Sequence, residues 1–254
     1  MKAKFTILGC GSSLGVPRID GYFGNCDPKN KKNYRTRCSA LLSLNHINII
    51  FDTSPDLKSQ LLANKIINID HVFYTHHHAD QTHGINELRV FYLKNKKKIP
   101  VYGDSTTKKY LHNSFRYCFD DNVDYPATLK FFNLKRNITI GNKIHINSIK
   151  VKHGSIDSNA YIINKSCAYA PDVNKIFKKD LPKFKNLKYF VVDCLRYNFH
   201  PSHFNLSDVL RLVEIIKPKK TILTNMHNDI DYEKIKRNLP NNVFPAYDGL
   251  SFNI

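Results

Sequence analysis

The segment Tyr74-Thr-His-His-His-Ala-Asp-Gln-Thr-His-Gly84 gathers His76, His77, His78, Asp80 and His83 into one short stretch. On extended backbone alternate side chains point the same way, so His76, His78 and Asp80 share a face and His77 takes the other. Neutral imidazole and carboxylate are the donors that suit zinc, manganese and iron. A lone histidine is more often a core or surface residue than a ligand. A core cannot satisfy this many polar rings in one stretch, so the segment is read as metal-binding. One cluster does not complete a two-metal site. His153, Asp172 and His227 each follow a hydrophobic run further down the chain. Each alone is an ordinary polar loop residue, but their shared position at strand ends predicts convergence on one rim.

Those strands are read from hydrophobic pattern. Met1 to Leu8 gives the first strand, centred on Phe5–Leu8, and is too short and too soon broken by Gly9 for a signal peptide. The loop Gly9-Cys-Gly-Ser-Ser-Leu-Gly15 follows. Ala40–Leu44 and Ile47–Phe51 predict a hairpin turning at Asn45-His46. Pro55 to Ala63 predicts a helix capped by Ser54. Val72–Tyr74 reads as a buried strand and Gly84–Leu93 as helical. Further strands are expected at 130–132, 143–151, 160–163, 167–169, 189–192 and 221–224. Leu206, Val209, Leu210, Val213 and Ile216 fall at helical spacing, with Pro218 just beyond. Strands dominate both halves, which predicts an α/β protein of two sheets packed face to face with helices outside. No repeat or linker is evident, so residues 1–254 are read as one domain. Gly9-x-Gly11 is a poor dinucleotide motif, because Leu14 stands where the third glycine belongs and Pro17 blocks helix entry.

Composition narrows the classes. The chain has 254 residues, 42% hydrophobic and 24% charged, an ordinary globular balance. No apolar run approaches the roughly 20 residues of a membrane helix, which predicts no membrane partner and a cytoplasmic protein. The 6 cysteines are scattered without a C-x-x-C pair, which reads as free, mostly buried thiols. The net charge of +18 would attract phosphates or nucleic acid. The chain is also rich in Lys, Asn and Ile, as AT-biased coding produces, and runs such as Lys29–Asn33 and Lys94–Lys98 read as solvated loops. No Gly-x-Ser-x-Gly elbow accompanies Ser12 and Ser13, so a serine hydrolase is set aside.

The chain resembles the metallo-β-lactamase superfamily, whose signature is His-x-His-x-Asp-His after a strand, then a distant His, Asp and His. These fall on His76, His78, Asp80, Gln81, His153, Asp172 and His227. It is similar to the phosphoribosyl cyclic phosphodiesterase, or PhnP-like, branch in Gly9–Arg18, Arg35–Ser39, Phe51–Asp56, Asp193–Arg196, His200–His203 and Tyr247–Gly249. The resemblance covers essentially the whole chain. It implies a four-layer αββα sandwich and two divalent ions, zinc or manganese. His76, His78 and His153 would hold one, Asp80 and His227 the second, and Asp172 would bridge. Such a pair can share a hydroxide and stabilise an in-line displacement at phosphorus. Gln81 departs from the pattern, since an amide oxygen is a weaker ligand than imidazole; the second ion would bind less tightly or be a harder one such as manganese. His83 is an alternative donor. A structural zinc held by cysteines in some relatives is expected to be absent, because only Cys26 remains of that segment.

In similar enzymes a histidine near Asp193 protonates the leaving oxygen. His203 is preferred and His200 is its rival, and with Asp80 they make the catalytic set. Arg37 and Arg196 are candidate phosphate clamps, Arg35 reads as a surface ion pair, and Asp52 and Asp229 could orient ligating imidazoles. The glycine loop would line the mouth. The implied activity is a metal-dependent phosphodiesterase using a bridging hydroxide on a small cyclic or nucleotide-like phosphodiester. An RNA-processing nuclease of the same fold and a metal-poor binding or carrier protein are the competing readings. Nucleic acid is not the favoured partner, and the sequence is compatible with a homodimer.

Overall fold

The computed structural model describes residues 3–122 and 125–254; Met1 and Lys2, assigned above to the first strand, lie outside them. The first sheet comprises β1 (Lys4–Gly9), β2 (Ser39–Leu44), β3 (Ile47–Phe51), β4 (His71–Phe73), β5 (Ile99–Gly103), β6 (Leu129–Asn133) and β14 (Ser251–Asn253). The second comprises β7 (Asn137–Ile140), β8 (Ile144–His153), β9 (Ile156–Ile163), β10 (Cys167–Ala170), β11 (Tyr189–Asp193), β12 (Lys220–Thr224) and β13 (Val243–Pro245). Their spatial orders are β14-β1-β2-β3-β4-β5-β6 and β13-β12-β11-β10-β9-β8-β7.

Strand alternation sorts the apolar side chains into two layers. Phe5, Ile7, Phe51 and Phe73 meet Tyr161, Tyr169 and Val191 between the sheets. The Phe51 ring lies 5.3 Å from Tyr161 and 5.8 Å from Tyr169. Leu8, Leu41, Ile50, Val72 and Val101 join a second apolar cluster. There Leu57 and Leu61 of α1 (Leu57–Ala63), Phe91 of α3 (Arg89–Asn95) and Leu111 of α4 (Ser105–Ser114) cover the first sheet. Against the second sheet, α5 (Leu206–Ile216) buries Val209, Leu212, Val213 and Ile216. The architecture is the αββα sandwich that the sequence predicts.

Strand direction creates the site. In the first sheet β3 and β4 are parallel, pairing Phe51 with Phe73. In the second, β10, β11 and β12 are parallel, pairing Ala170 with Val192 and Asp193 with Thr224. β8 runs antiparallel to β9, which runs antiparallel to β10, so β8 and β10 end on the same edge. The residues at or just past these ends, Asp52, Thr75–Asp80, His153, Asp172, Asp193 and Asn225–His227, are therefore delivered to one rim.

Several local readings shift. The hairpin turns at Asn45, whose φ of 56° is the left-handed conformation such turns demand. α1 begins at Leu57 with Asp56, not Ser54, at its N-cap; Ser54 Oγ instead accepts from Asp56 N and donates to Gln60 Oε1. The stretch 84–93 divides into a 3₁₀ turn, Ile85–Leu88, and α3. The six cysteines are all buried free thiols. Among the described residues no helix is long and apolar enough to cross a membrane.

Candidate metal centre

His76 is 1% exposed, at the end of the β4 extension. The Thr75 hydroxyl lies 3.0 Å from His76 Nδ1 and donates to Asp52 Oδ2 at 3.0 Å. A hydroxyl has one hydrogen, so while it donates to Asp52 it must accept from Nδ1–H. That leaves His76 Nε2 without a hydrogen, and it is buried with no partner among the described residues. Asp52 is held in turn by Thr75 N at 2.7 Å, on a strained backbone with φ of 63°. Burial pushes its carboxyl up, against the Thr75 hydrogen bonds that lower it.

His153 reaches the same tautomer by another route. Its Nδ1 lies 2.7 Å from the carbonyl oxygen of Ser202, which can only accept, so the lone pair again sits on Nε2. The His76 ring centroid is 4.4 Å from His78 and 5.0 Å from His153. One ligand nitrogen from each of His76, His78 and His153 lies within 4.8 Å of the others. Burial drives His76 well below its ordinary pKa, and His153 down to about 3, with neighbouring imidazoles adding to each. His78 is lowered too, first by burial. Three imidazoles with lowered pKa meeting at one point, two of them with the hydrogen-free nitrogen fixed as Nε2, fit a divalent cation.

The carboxylates lie beside them. Asp172 is 2% exposed, and its oxygens are bracketed by two amides. Asn225 Nδ2 donates to Oδ1 at 3.0 Å and Gln81 Nε2 to Oδ2 at 3.1 Å. Gln81 Nε2 also donates to Asp80 Oδ2 at 3.2 Å. Burial, then the charge of Asp80, pushes the Asp172 carboxyl well up. Two carboxylates brought this close, one of them buried, are a setting in which a cation is stabilising. His227 borders the same cavity, but among the described residues neither close cluster of ligand atoms includes it or Asp80. Asp229 Oδ2 stands 3.3 Å from His227 Nδ1.

The cavity above these groups has a volume of about 330 Å³. Ser12, Ser13 and Leu14 of the glycine loop form one wall; Arg196, His200, Ser202 and His203 form another. His203 Nδ1 lies 2.7 Å from Asp193 Oδ2, and Asp193 is fully buried. Burial alone lowers the His203 imidazole, but the charge and hydrogen bond of Asp193, then Asp172 and Asp80, outweigh it and push it up to about 9. His203 also forms a second close group with His153 and Asp172. His200 Nδ1 accepts from Ser202 N at 3.3 Å, and burial lowers its pKa.

Other expected groups lie elsewhere. Arg37 does not border the cavity: its Nε is 2.9 Å from Asp56 Oδ2 and its backbone N donates to the same carboxylate. His83 Nε2 lies 2.8 Å from the Tyr110 hydroxyl, away from the carboxylates. The His77 ring also stands beside Tyr110, 5.7 Å between centroids. Arg35 is 2% exposed, not a surface group. It donates to Ile230 O at 2.7 Å and His227 O at 3.3 Å, fixing the loop that carries His227. Cys26 Sγ donates to Asn228 O and Ile230 O in the same loop. Asp248 accepts from Cys10 N at 3.0 Å and Thr36 N at 2.7 Å, which ties the glycine loop down. Sequence alone does not give Arg35, Asn225 or Asp248 these roles, because their partners are remote in sequence.

Comparison with known proteins agrees with this geometry. The description of the beta-lactamase superfamily domain matches residues 47–226. The chain is 26% identical over 250 residues to an octanoyltransferase of Porphyromonas gingivalis, covering 96% of this chain and 50% of that protein. It is 28% identical over 149 residues to ribonuclease Z of Methanocaldococcus jannaschii, covering 54% and 46%. The chain thus spans about half the length of these curated relatives. The crystal structure of a diphosphatase from the PhnP family superposes with a TM-score of 0.91 at 27% identity, covering 100% of this chain and 98% of that one. The chain belongs to the metallo-β-lactamase superfamily and resembles its PhnP-like branch.

Proposed function

We propose that the protein is a metal-dependent phosphodiesterase acting on a small cyclic or nucleotide-like phosphodiester. One arrangement carries this reading. Imidazole nitrogens, the buried Asp172 carboxylate and the half-buried Asp80 converge beneath a cavity that also presents His203 and Arg196. His76, His78 and His153 would hold one divalent ion; Asp80, Asp172 and His227, with Gln81, would hold a second. When bound, such ions supply Lewis-acid charge that favours ionisation of water at neutral pH and offsets charge on phosphate oxygens.

The chain's own residues do the rest. Arg196 stands half-buried on the cavity wall, where its guanidinium can fork onto a phosphate. Asp193 fixes the His203 ring through Nδ1, so Nε2 is the end free to deliver a proton to the leaving oxygen. The charge and hydrogen bond of Asp193 favour the protonated imidazole. Ser12, Ser13 and Leu14 close the opposite wall and limit the size of the bound group.

The net charge of +18 favours a second reading, an RNA-processing nuclease on the same centre. Two substrates separate them: a small cyclic phosphodiester and a precursor transfer RNA with a 3′ trailer, each given to manganese- or zinc-loaded protein. Cleavage of the cyclic ester with a kcat/KM well above that for the RNA supports the proposal. RNA trimming without turnover of the small ester overturns it in favour of the nuclease.

A further inference from the structure

Gln81 is 0% exposed on the short helix α2 (Ala79–Thr82), between Asp80 and Asp172. Its amide nitrogen lies 3.2 Å from one carboxylate and 3.1 Å from the other. A primary amide carries two N–H groups, and both are used here. The other end, Oε1, is buried and meets no donor among the described residues. The two ends of a carboxamide are nearly alike in shape, and a half-turn about the last side-chain torsion exchanges them. With nitrogen toward the carboxylates, two like charges are bridged by N–H dipoles. With oxygen toward them, three oxygens converge, an arrangement that is stable only around a cation. A histidine ring at position 81 could not play both parts, since one ring nitrogen cannot donate to two carboxylates at once.

The two halves of the centre also differ in donor type. His76, His78 and His153 present nitrogen alone. The neighbouring position has the oxygens of Asp80 and Asp172 with Gln81 Nε2 between them and His227 at its margin, and Oε1 would join those oxygens only once the amide turns. Nitrogen donors suit zinc, whereas carboxylate and amide oxygens suit harder ions such as manganese or magnesium.

We infer that Gln81 makes the centre asymmetric, with one nitrogen-held zinc-like ion retained tightly and one oxygen-held, manganese-like ion in exchange. The inference rests on the reading of this cluster as a metal centre. Gln81 acts as a latch: its N–H groups hold Asp80 and Asp172 together until a hard cation displaces them and takes Oε1. Binding of that ion must break two hydrogen bonds, which weakens it relative to the first.

Metal content and affinity test this without reference to turnover. The chelator-stripped full chain is loaded with excess zinc, desalted and assayed for metal, then titrated with manganese by calorimetry and by the electron spin resonance of free manganese. The wild type is expected to retain one zinc and to bind one further manganese at least about tenfold more weakly. Gln81→His should retain two zinc ions. Gln81→Glu, which keeps the oxygen and loses the N–H groups, should tighten manganese while retaining one zinc. Two equally retained zinc ions in the wild type, or a Gln81→His protein with unchanged stoichiometry, overturns the asymmetry while leaving the metal centre standing. Retention of no metal by wild type or variants overturns both.

Discussion

His203 Nδ1 and Asp193 Oδ2 lie 2.7 Å apart, joining a side chain of the cavity wall to a carboxylate buried at the end of β11. Val173 N donates to the same Asp193 oxygen at 3.0 Å, so the carboxylate is fixed before it fixes the imidazole. The pair aims His203 and favours its protonated form, which supports the proposed general-acid role. Among the described residues His200 has no carboxylate partner, and burial lowers its pKa.

The first prediction concerns leaving groups. His203→Ala should lower kcat on an alkyl phosphodiester by about 10²–10⁴-fold. It should lower it far less on bis(p-nitrophenyl) phosphate, whose leaving group needs no proton. Asp193→Asn should show the same bias at smaller amplitude, and His200→Ala less than about tenfold on either ester. Equal losses on both esters, or loss of bound metal in His203→Ala, would instead make His203 a ligand beside His153 and Asp172.

A second prediction follows from the chain Asp52–Thr75–His76. The Thr75 hydroxyl passes the orientation of Asp52 to His76 Nδ1, and so sets which nitrogen is free. Thr75→Val keeps the shape and removes the link. Zinc affinity should fall about 10–100-fold, and Thr75→Ser should restore it. Calorimetric titration with zinc measures both, and unchanged affinity in Thr75→Val contradicts the role.

The arginines should separate by measurement. Arg35→Met strands the carbonyls of Ile230 and His227, at a cost on the order of 3 kcal/mol. The thermal midpoint should drop by roughly 5–10 °C. Arg37→Ala removes a partly exposed pair with Asp56, with an effect of about 1 kcal/mol or less and no change in KM. Arg196→Ala should raise KM for the phosphodiester and leave the midpoint in place. A KM effect at Arg37 and none at Arg196 reverses the assignment.

How much of this the chain discloses on its own depends on the range of the interaction. Helix α5 is legible to the residue: Leu206, Val209, Val213 and Ile216 repeat at helical spacing and Asn205 forms a capping box with Asp208. His76 and His78 are legible because their spacing is local, whereas Asp80 sits on the short helix α2 and not on the extended run, and among the described residues joins neither close group of ligand atoms. The rim position of His153, Asp172 and His227 is legible because each ends a hydrophobic run. α4, α6 (Tyr232–Arg237), β5, β7, β13 and β14 are not, because short or mixed apolar patterns carry little periodic signal. Arg35 reads as a surface cation, since its carbonyl partners lie beyond position 226 and only folding brings them together. The same holds for Arg37, whose partner Asp56 competes for a guanidinium that sequence alone offers to phosphate.

Acid should act on the metal-free protein through its buried imidazoles. Burial, then the charge of His203, holds His153 down to about 3, whereas the unfolded ring titrates near ~6.5. A folded pKa below the unfolded one gives stability that is complete above pH ~6.5 and lost as pH falls toward the folded value. The raised carboxyls of Asp52, Asp172 and Asp193 work in the opposite sense, so the test is a difference. In chelator-stripped samples, the wild type should lose more thermal midpoint between pH 7 and pH 4.5 than His153→Gln, which keeps a donor for Ser202 O. A larger loss in the variant contradicts the assigned shift.

The central claim is that these side chains assemble a metal centre that performs phosphodiester hydrolysis. Its most direct test is turnover of bis(p-nitrophenyl) phosphate by chelator-stripped protein as manganese or zinc is returned in measured equivalents. Stripped protein should show no turnover, recovery should saturate at stoichiometric metal, and His76→Ala should not recover. Turnover that survives chelation, or stays absent at full metal occupancy, contradicts it.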